Sequence, residues 1–233
     1  MALTLLEDLS PLTGLLIRTS ECVDGSLRVT EPAFFHNLEQ LWPTPADVTW
    51  LKQIHGQTIV TVDHPGDHAG VEADGAFTTA VGVTLAVTTA DCAPVVMAAA
   101  DGNARALAVV HAGWRGLLAG IIEKGANSVI AAVPNGRRFA FCGPCIGPDH
   151  YEFSPADMAP IVERYSNRVR SRTEAGAPSL DLFAGVEQAL DRSGFPAPER
   201  PPSTASPSYF SHRSGDSVRR TGRMMTLAQL TLS

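Results

Sequence analysis

Three short apolar runs, Thr84 to Thr89, Pro94 to Ala99 and Ala106 to Val110, follow one another closely before Gly113 opens a helical pattern. Runs of this length and character suit buried strands, so the middle of the chain has to lie within a sheet core. Residues able to do chemistry stand at the ends of those runs. Thr89-Ala90-Asp91-Cys92 follows the first, and His111-Ala112-Gly113-Trp114-Arg115-Gly116 follows the third. A short polar segment at the end of a buried strand holds a reactive group rigidly and still exposes it. Both corners are therefore expected to face one site with Cys92 and His111 at its core.

The flanks carry the same alternation of strand and helix signals. Leu15 to Arg18, Ser26 to Thr30, Val48 to Leu51, Thr58 to Val62, Arg138 to Cys142 and Met224 to Leu230 read as strands. Asn37 to Trp42 reads as a helical turn stopped by Pro43 and Pro45. Apolar residues from Leu117 to Val133 recur at three and four, which predicts one amphipathic helix ended by Pro134-Asn135-Gly136. Ser154-Pro155 and Asp181 are N-cap signals for two further helices, the second stopped by Gly194. Pro196 to Pro207 is a proline- and serine-rich surface loop. Strands interleaved with helices predict a mixed α/β or α+β fold, and no shift in composition divides residues 1–233 into two domains.

With 44% hydrophobic and 18% charged residues, the chain is too apolar for disorder and long enough for a core of its own. No apolar run approaches the roughly 18 residues of a membrane span, and acidic Glu7 and Asp8 near the start do not resemble a signal peptide. A net charge of -6 argues against a nucleic-acid partner, although Arg213, Arg219, Arg220 and Arg223 cluster near the C-terminus. Four cysteines do not make a disulfide scaffold, and a reducing cytoplasm is the expected compartment.

His55, beside the turn glycine Gly56, joins Cys92 and His111 as a third group placed at a strand edge. One thiolate and two imidazoles suit zinc, and three protein ligands leave a fourth position for water or substrate, the pattern of a catalytic site. The intervals of 37 and 19 residues form no finger-like signature. A metal-free alternative makes Cys92 a nucleophile with His111 as its base. Gly113-Trp114-Arg115-Gly116 at a helix start combines free amides, a dipole end and a guanidinium, which suits an anion such as phosphate; Arg213 and Arg223 contribute if the C-terminal loop folds over.

Other constellations carry less. His64 and His68 fall in a glycine- and proline-containing loop rather than on a helix face. Asp74 before Gly75 reads first as a turn residue and second as a carboxylate behind the site. Cys142-Gly143-Pro144-Cys145 has thioredoxin-like spacing, but Phe141 replaces the usual tryptophan, and Gly147 and Pro148 stop the helix that should follow.

A set of motifs occurs in a family-specific order: Lys52-Gln53-x-His55-Gly56, Ala73-Asp74-Gly75, Thr89-Ala90-Asp91-Cys92-x-Pro94-Val95, His111 to Gly116, Gly143-Pro144-x-Ile146-Gly147, Tyr151-Glu152, Leu180-Asp181-Leu182, Ser211-His212-Arg213 and Thr221-Gly222-Arg223. Over roughly residues 48 to 230 the chain resembles the bacterial laccase-domain family, once labelled multicopper polyphenol oxidases and now regarded mainly as zinc-dependent purine nucleoside phosphorylases. The resemblance implies an α+β fold, a mixed-sheet sandwich with helices on the outer faces, related to a toxin deamidase domain that uses a Cys-His pair. It implies metal ligation by His55, Cys92 and His111; beside it, the residues themselves suggest catalytic roles for Cys92, Asp91 and Arg115, and substrate contacts from Lys52, Gly113, Arg213 and Arg223. The implied reaction is phosphorolysis of adenosine, inosine, guanosine and methylthioadenosine, with adenosine deamination as a second activity and peptidoglycan-precursor editing in some members. The nucleoside and phosphate are the implied partners. Departures are the degraded N-terminal segment Ile17 to Glu21, Asp149-His150 where paired cysteines are common, and Ser203-Thr204 where Cys-Thr often stands. Seven histidines without a His-x-His pair cannot hold the several coppers of a true laccase, leaving only incidental copper at the three-ligand site.

Overall fold

The computed structural model describes residues 14–231. Its elements in order are β1 (Leu15–Thr19), α1 (Phe34–Leu41), β2 (Val48–Thr49), β3 (Ile59–Thr61), β4 (Gly75–Thr78), β5 (Thr84–Thr89), β6 (Ala93–Asp101) and β7 (Ala104–Ala112). There follow α2 (Trp114–Ala119), α3 (Ile121–Ala132), β8 (Arg137–Cys142), α4 (Pro155–Tyr165), β9 (Arg170–Arg172), β10 (Pro178–Leu180), α5 (Leu182–Arg192), α6 (Ser217–Thr221) and β11 (Met224–Leu230).

Two mixed sheets carry the architecture. One runs β1-β11-β5-β2 and the other β3-β4-β7-β6-β8, while β9 and β10 form a separate ribbon. The period-2 alternation of each strand sorts its side chains into layers. On β6, Val96 and Ala98 join Leu107 and Val109 of β7 against Leu85 and Val87 of β5 and Ala228 and Leu230 of β11, which is the seam between the sheets. Val95, Met97 and Ala99 point the other way and pack under Leu117, Ile121, Ile122, Ala126, Val129, Phe183 and Val186 from α2, α3 and α5. On the far side, Ala86, Met225 and Leu227 meet Phe34, Leu38 and Leu41 of α1. Burial on both faces explains why the central strands read as unbroken apolar runs. The result is an α+β sandwich with helices outside, as expected.

Two expectations are corrected. Ser26 to Thr30 forms no strand; its residues are irregular and end in a turn. The helix expected from Leu117 to Val133 is two helices, because Gly120 adopts a left-handed conformation at φ 90 and serves as the end of α2 and the start of α3. Apolar spacing survives the break, so the pattern hides it; the glycine is its only trace in the sequence. The Cys-x-x-Cys segment ends β8 and passes into a turn, with no helix there and both thiols buried and free. Among the described residues no helix is long and apolar enough to cross a membrane.

Candidate metal centre

The ligand atoms of His55, Cys92 and His111 all lie within 4.8 Å of one another, and this is the one such group of three among the described residues. Each arrives on a different segment. Cys92 sits in the turn between β5 and β6, immediately before Ala93. His111 lies on β7 itself, one position before its end, opposite Pro94 of β6. The β6–β7 register thus fixes two of the three ligands side by side. His55 comes from the loop between β2 and β3 and is exposed, its ring edge-on to that of His111 with centroids 4.8 Å apart.

The third ligand is placed by Asp74. This fully buried carboxylate accepts hydrogen bonds from the backbone amides of Ile54 (3.2 Å), His55 (2.8 Å) and Gly56 (2.6 Å). Its Oδ1 is also 2.9 Å from His111 Nδ1. Burial works to raise the Asp74 pKa, but the bond to His111 and the amides outweigh it and hold the carboxyl below its ordinary value. An ionised carboxylate only accepts, so Nδ1 of His111 carries the proton and Nε2 is left for an ion. The same cradle holds His55 at φ 60, a conformation uncommon outside glycine. Asp74 therefore does more than make a turn, the role its place before Gly75 first suggests.

Gly113 completes the packing by having no side chain. A Cβ there would stand 2.9 Å from Cys92 Sγ and 3.0 Å from His55 Cδ2, so only glycine leaves room for both ligands. Its φ of -74 is ordinary, so the requirement is steric. Gly116 likewise faces the His55 loop, where a Cβ would meet Gly56 O at 3.0 Å.

The thiol and imidazole polarise each other. Burial works to raise the Cys92 pKa, yet the positive charge of His111, with hydrogen bonds from both histidines, brings it down to about 6. Burial works to lower that of His111, but the Cys92 thiolate and Asp74 raise it to about 9. Without a metal the pair is a thiolate and an imidazolium. One thiolate and two imidazoles at this spacing fit zinc: tetrahedral bonds of about 2.0–2.3 Å put ligand atoms roughly 3.3–3.6 Å apart, within reach by small side-chain shifts. These same atoms would hold the ion and leave one coordination position open.

Around this centre the other expected residues sort into two groups. Burial and the Cys92 charge raise the Tyr151 pKa, so its phenol stays protonated at neutral pH; Asp91 acts in the same sense, and Arg213 and Arg115 oppose it. Arg213 is also stacked over the Tyr151 ring at 4.6 Å, and Arg115 over Trp114 at 4.3 Å. Trp114 packs edge-on to Phe153, and Phe153 to Tyr151. Two guanidiniums held on aromatic faces thus act on Tyr151, which also feels the Cys92 charge, and neither has a carboxylate partner among the described contacts. Asp91 is buried at φ 87, and its oxygens are engaged: Oδ1 accepts from the Thr204 hydroxyl at 2.7 Å and Oδ2 from the Arg213 amide at 3.1 Å. It anchors the C-terminal loops, and through them Arg213.

Lys52 and Arg223 each have hydrogen-bond partners of their own. Lys52 Nζ lies 2.6 Å from Glu72 on the exposed surface. Arg223 Nη1 donates to the carbonyls of Arg220, Thr221 and Gly222 at the end of α6. Burial and Arg28 lower its pKa, while the charges of Cys92 and Asp91 oppose them. The helix following Gly113 has six residues, so the anion-binding strength expected there comes from the free amides and Arg115 more than from a long dipole. His64 is exposed and pairs with Asp67 at 3.2 Å, away from any ligand set.

The family's sequence profile, described as multi-copper polyphenol oxidoreductase laccase, matches residues 27–231. The chain belongs to that family. A relative from Xylella fastidiosa strain Temecula1 named purine nucleoside phosphorylase is 35% identical over 254 residues, covering 98% of this chain and 91% of the relative. Another of that name, from Mycobacterium tuberculosis strain H37Rv, is 37% identical over 169 residues, 71% of this chain and 66% of that protein. Among solved structures, YlmD from Geobacillus stearothermophilus superposes with a TM-score of 0.78 at 22% identity, covering 96% of this chain and 94% of that one. Neisseria meningitidis protein NMB0706 gives 0.76 at 24% identity, covering 95% and 96%. These two likenesses show the fold. The family's descriptive name implies several coppers, whereas the described residues of this member bring together one group of three ligands.

Proposed function

We propose that this laccase-family member is a zinc-dependent purine nucleoside phosphorylase acting on adenosine, inosine, guanosine and methylthioadenosine. The observation that carries the reading is the His55-Cys92-His111 ligand set, joined through Tyr151, which feels the Cys92 charge, to the aromatic-backed guanidiniums of Arg115 and Arg213. The names of its relatives at 35–37% identity support the same reaction. In phosphorolysis an oxygen of phosphate bonds to C1′ of the sugar while the C1′–N9 electron pair leaves with the base.

Phosphate needs positive charge and donors at a fixed position. Arg115, the free amides after Gly113 and Arg213 supply them, with Asp91 and Thr204 fixing the loop that carries Arg213. Tyr151 stays a neutral phenol and offers an aromatic wall. A bound zinc would supply Lewis acidity at the open position beside these groups, which also suits deamination of adenosine as a second activity. Copper in the same three-ligand position is the less favoured loading. Four free thiols among the described residues, Cys22, Cys92, Cys142 and Cys145, fit an enzyme of the reducing cytoplasm.

The test is phosphate-dependent release of hypoxanthine from inosine by purified, zinc-loaded protein. The proposal expects base and sugar 1-phosphate in equal amounts and no release without phosphate; no release with zinc present contradicts it. A second reading, a Cys-His amide hydrolase including peptidoglycan-precursor editing, is favoured by the thiolate–imidazolium pair. It requires an amide-hydrolysing activity in metal-free protein that thiol alkylation abolishes.

A further inference from the structure

Two of the three contacts that set the ligand triangle are accounted for: the β6–β7 register spaces Cys92 from His111, and Asp74 spaces His55 from His111. The remaining side, from His55 to Cys92, joins a loop to the end of β5. Parallel pairing with β2 covers only Thr84 and Leu85 of that edge, leaving the last residues of β5 without a neighbouring strand on that side. The side chain of Gln53 fills the gap. Its Nε2 donates to Thr88 O at 2.7 Å, while its Oε1 accepts from Thr88 N at 2.7 Å and from Thr88 Oγ1 at 3.1 Å. A side-chain amide offers one donor side and one acceptor side, so it reproduces the pairing that a backbone strand would make.

Gln53 is two residues before His55, and Thr88 is four before Cys92. We propose that Gln53 is a positioning residue for the metal centre: its amide clamps the His55 loop to β5 and sets the span between the exposed imidazole and the Cys92 sulfur. With Asp74 and the β6–β7 register it fixes all three sides of the triangle. A packing role alone does not need both faces of the amide to meet one residue's N–H and C=O. The clamp acts on ligand geometry and not on substrate, so it rests on the metal reading and is independent of which nucleoside reacts.

The experiment titrates metal-free wild type, Gln53→Ala and Gln53→Met with Co(II), then with Zn(II) against a chelator, while thermal unfolding of the metal-free proteins is measured separately. Gln53→Met keeps the length of the side chain and loses the clamp. The expected result is a thiolate-to-cobalt absorption band in wild type, and Zn(II) binding weaker by about 10–100-fold in both variants. A merely structural role would lower the melting temperature and leave affinity and band unchanged, and that outcome overturns the inference. Should Gln53→Ala fail to fold, Gln53→Glu keeps the two acceptor contacts and sets a carboxylate oxygen against Thr88 O in place of the donor; wild-type affinity there overturns the clamp as well. Absence of the band and of Zn(II) binding in wild type overturns the metal reading itself, so the two failures are distinct.

Discussion

Asp74 Oδ1 stands 2.9 Å from His111 Nδ1, and the same carboxylate accepts three consecutive backbone amides of the loop that carries His55. One buried charge thus fixes the tautomer of one ligand and the loop conformation of another. Asp74→Asn keeps the volume but loses the charge and an acceptor, and is expected to weaken Zn(II) binding by about 10–100-fold in chelator competition. Asp74→Ala also removes the charged acceptor of all three amides, a hydrogen bond to a charged group being worth about 1.5–3 kcal/mol. It should lower the melting temperature even without metal, which thermal denaturation of the metal-free protein reads directly.

Gly113→Ala separates ligand geometry from folding. Alanine adopts φ -74 without strain, but its Cβ collides with Cys92 Sγ and His55 Cδ2. The variant should keep the far-ultraviolet circular dichroism of wild type and lose zinc, as measured by elemental analysis after gel filtration. Full zinc content in that variant would mean the ligands sit further apart than described.

The thiolate–imidazolium pair predicts a pH profile for the metal-free protein. Cys92 is depressed to about 6, so its charged form contributes stability above the unfolded value of 9.0, and the contribution is lost as pH falls through about 6. His111 is raised to about 9, so its contribution is full below 6.5 and is lost as pH rises through about 9. The two steps belong to the pair as a whole. Alkylation of Cys92 by iodoacetamide, followed by peptide mass spectrometry, should rise with a midpoint near pH 6, and His111→Ala should move that midpoint upward. A wild-type midpoint near 9 would remove the pair.

Arg115 lies exposed over Trp114, so its removal should not disturb the core. Arg115→Ala is expected to raise KM for phosphate about tenfold or more with a smaller change in KM for inosine. Equal effects on both would place the guanidinium on the nucleoside.

The sheet sandwich was legible because β5, β6, β7 and β11 are buried on both faces, and a short continuous apolar run bounded by polar corners suits a strand covered from both sides. Cys92 and His111 were legible for the same reason: the corners were visible. His111 proved to lie on β7 itself and not after it, because hydrogen bonding continues to Ala112. Asp74 and Gln53 were harder to interpret. Asp-Gly signals a turn in any sequence, and only the fold shows that this carboxylate reaches back twenty residues to Ile54. Gln53 carries no chemistry of its own, and its partner Thr88 is 35 residues away. Thr204, which holds Asp91, is 113 residues distant, and such pairings leave no local pattern. The break at Gly120 was concealed because α2 and α3 continue one apolar stripe across it.

Whether His55, Cys92 and His111 share one ion can be read from metal-edge X-ray absorption of the zinc-loaded protein. The expected first shell holds one sulfur at about 2.3 Å and nitrogen or oxygen scatterers at about 2.0–2.1 Å, the sulfur vanishing in Cys92→Ala. A first shell without sulfur in the wild-type protein, or one unchanged by Cys92→Ala, would contradict it.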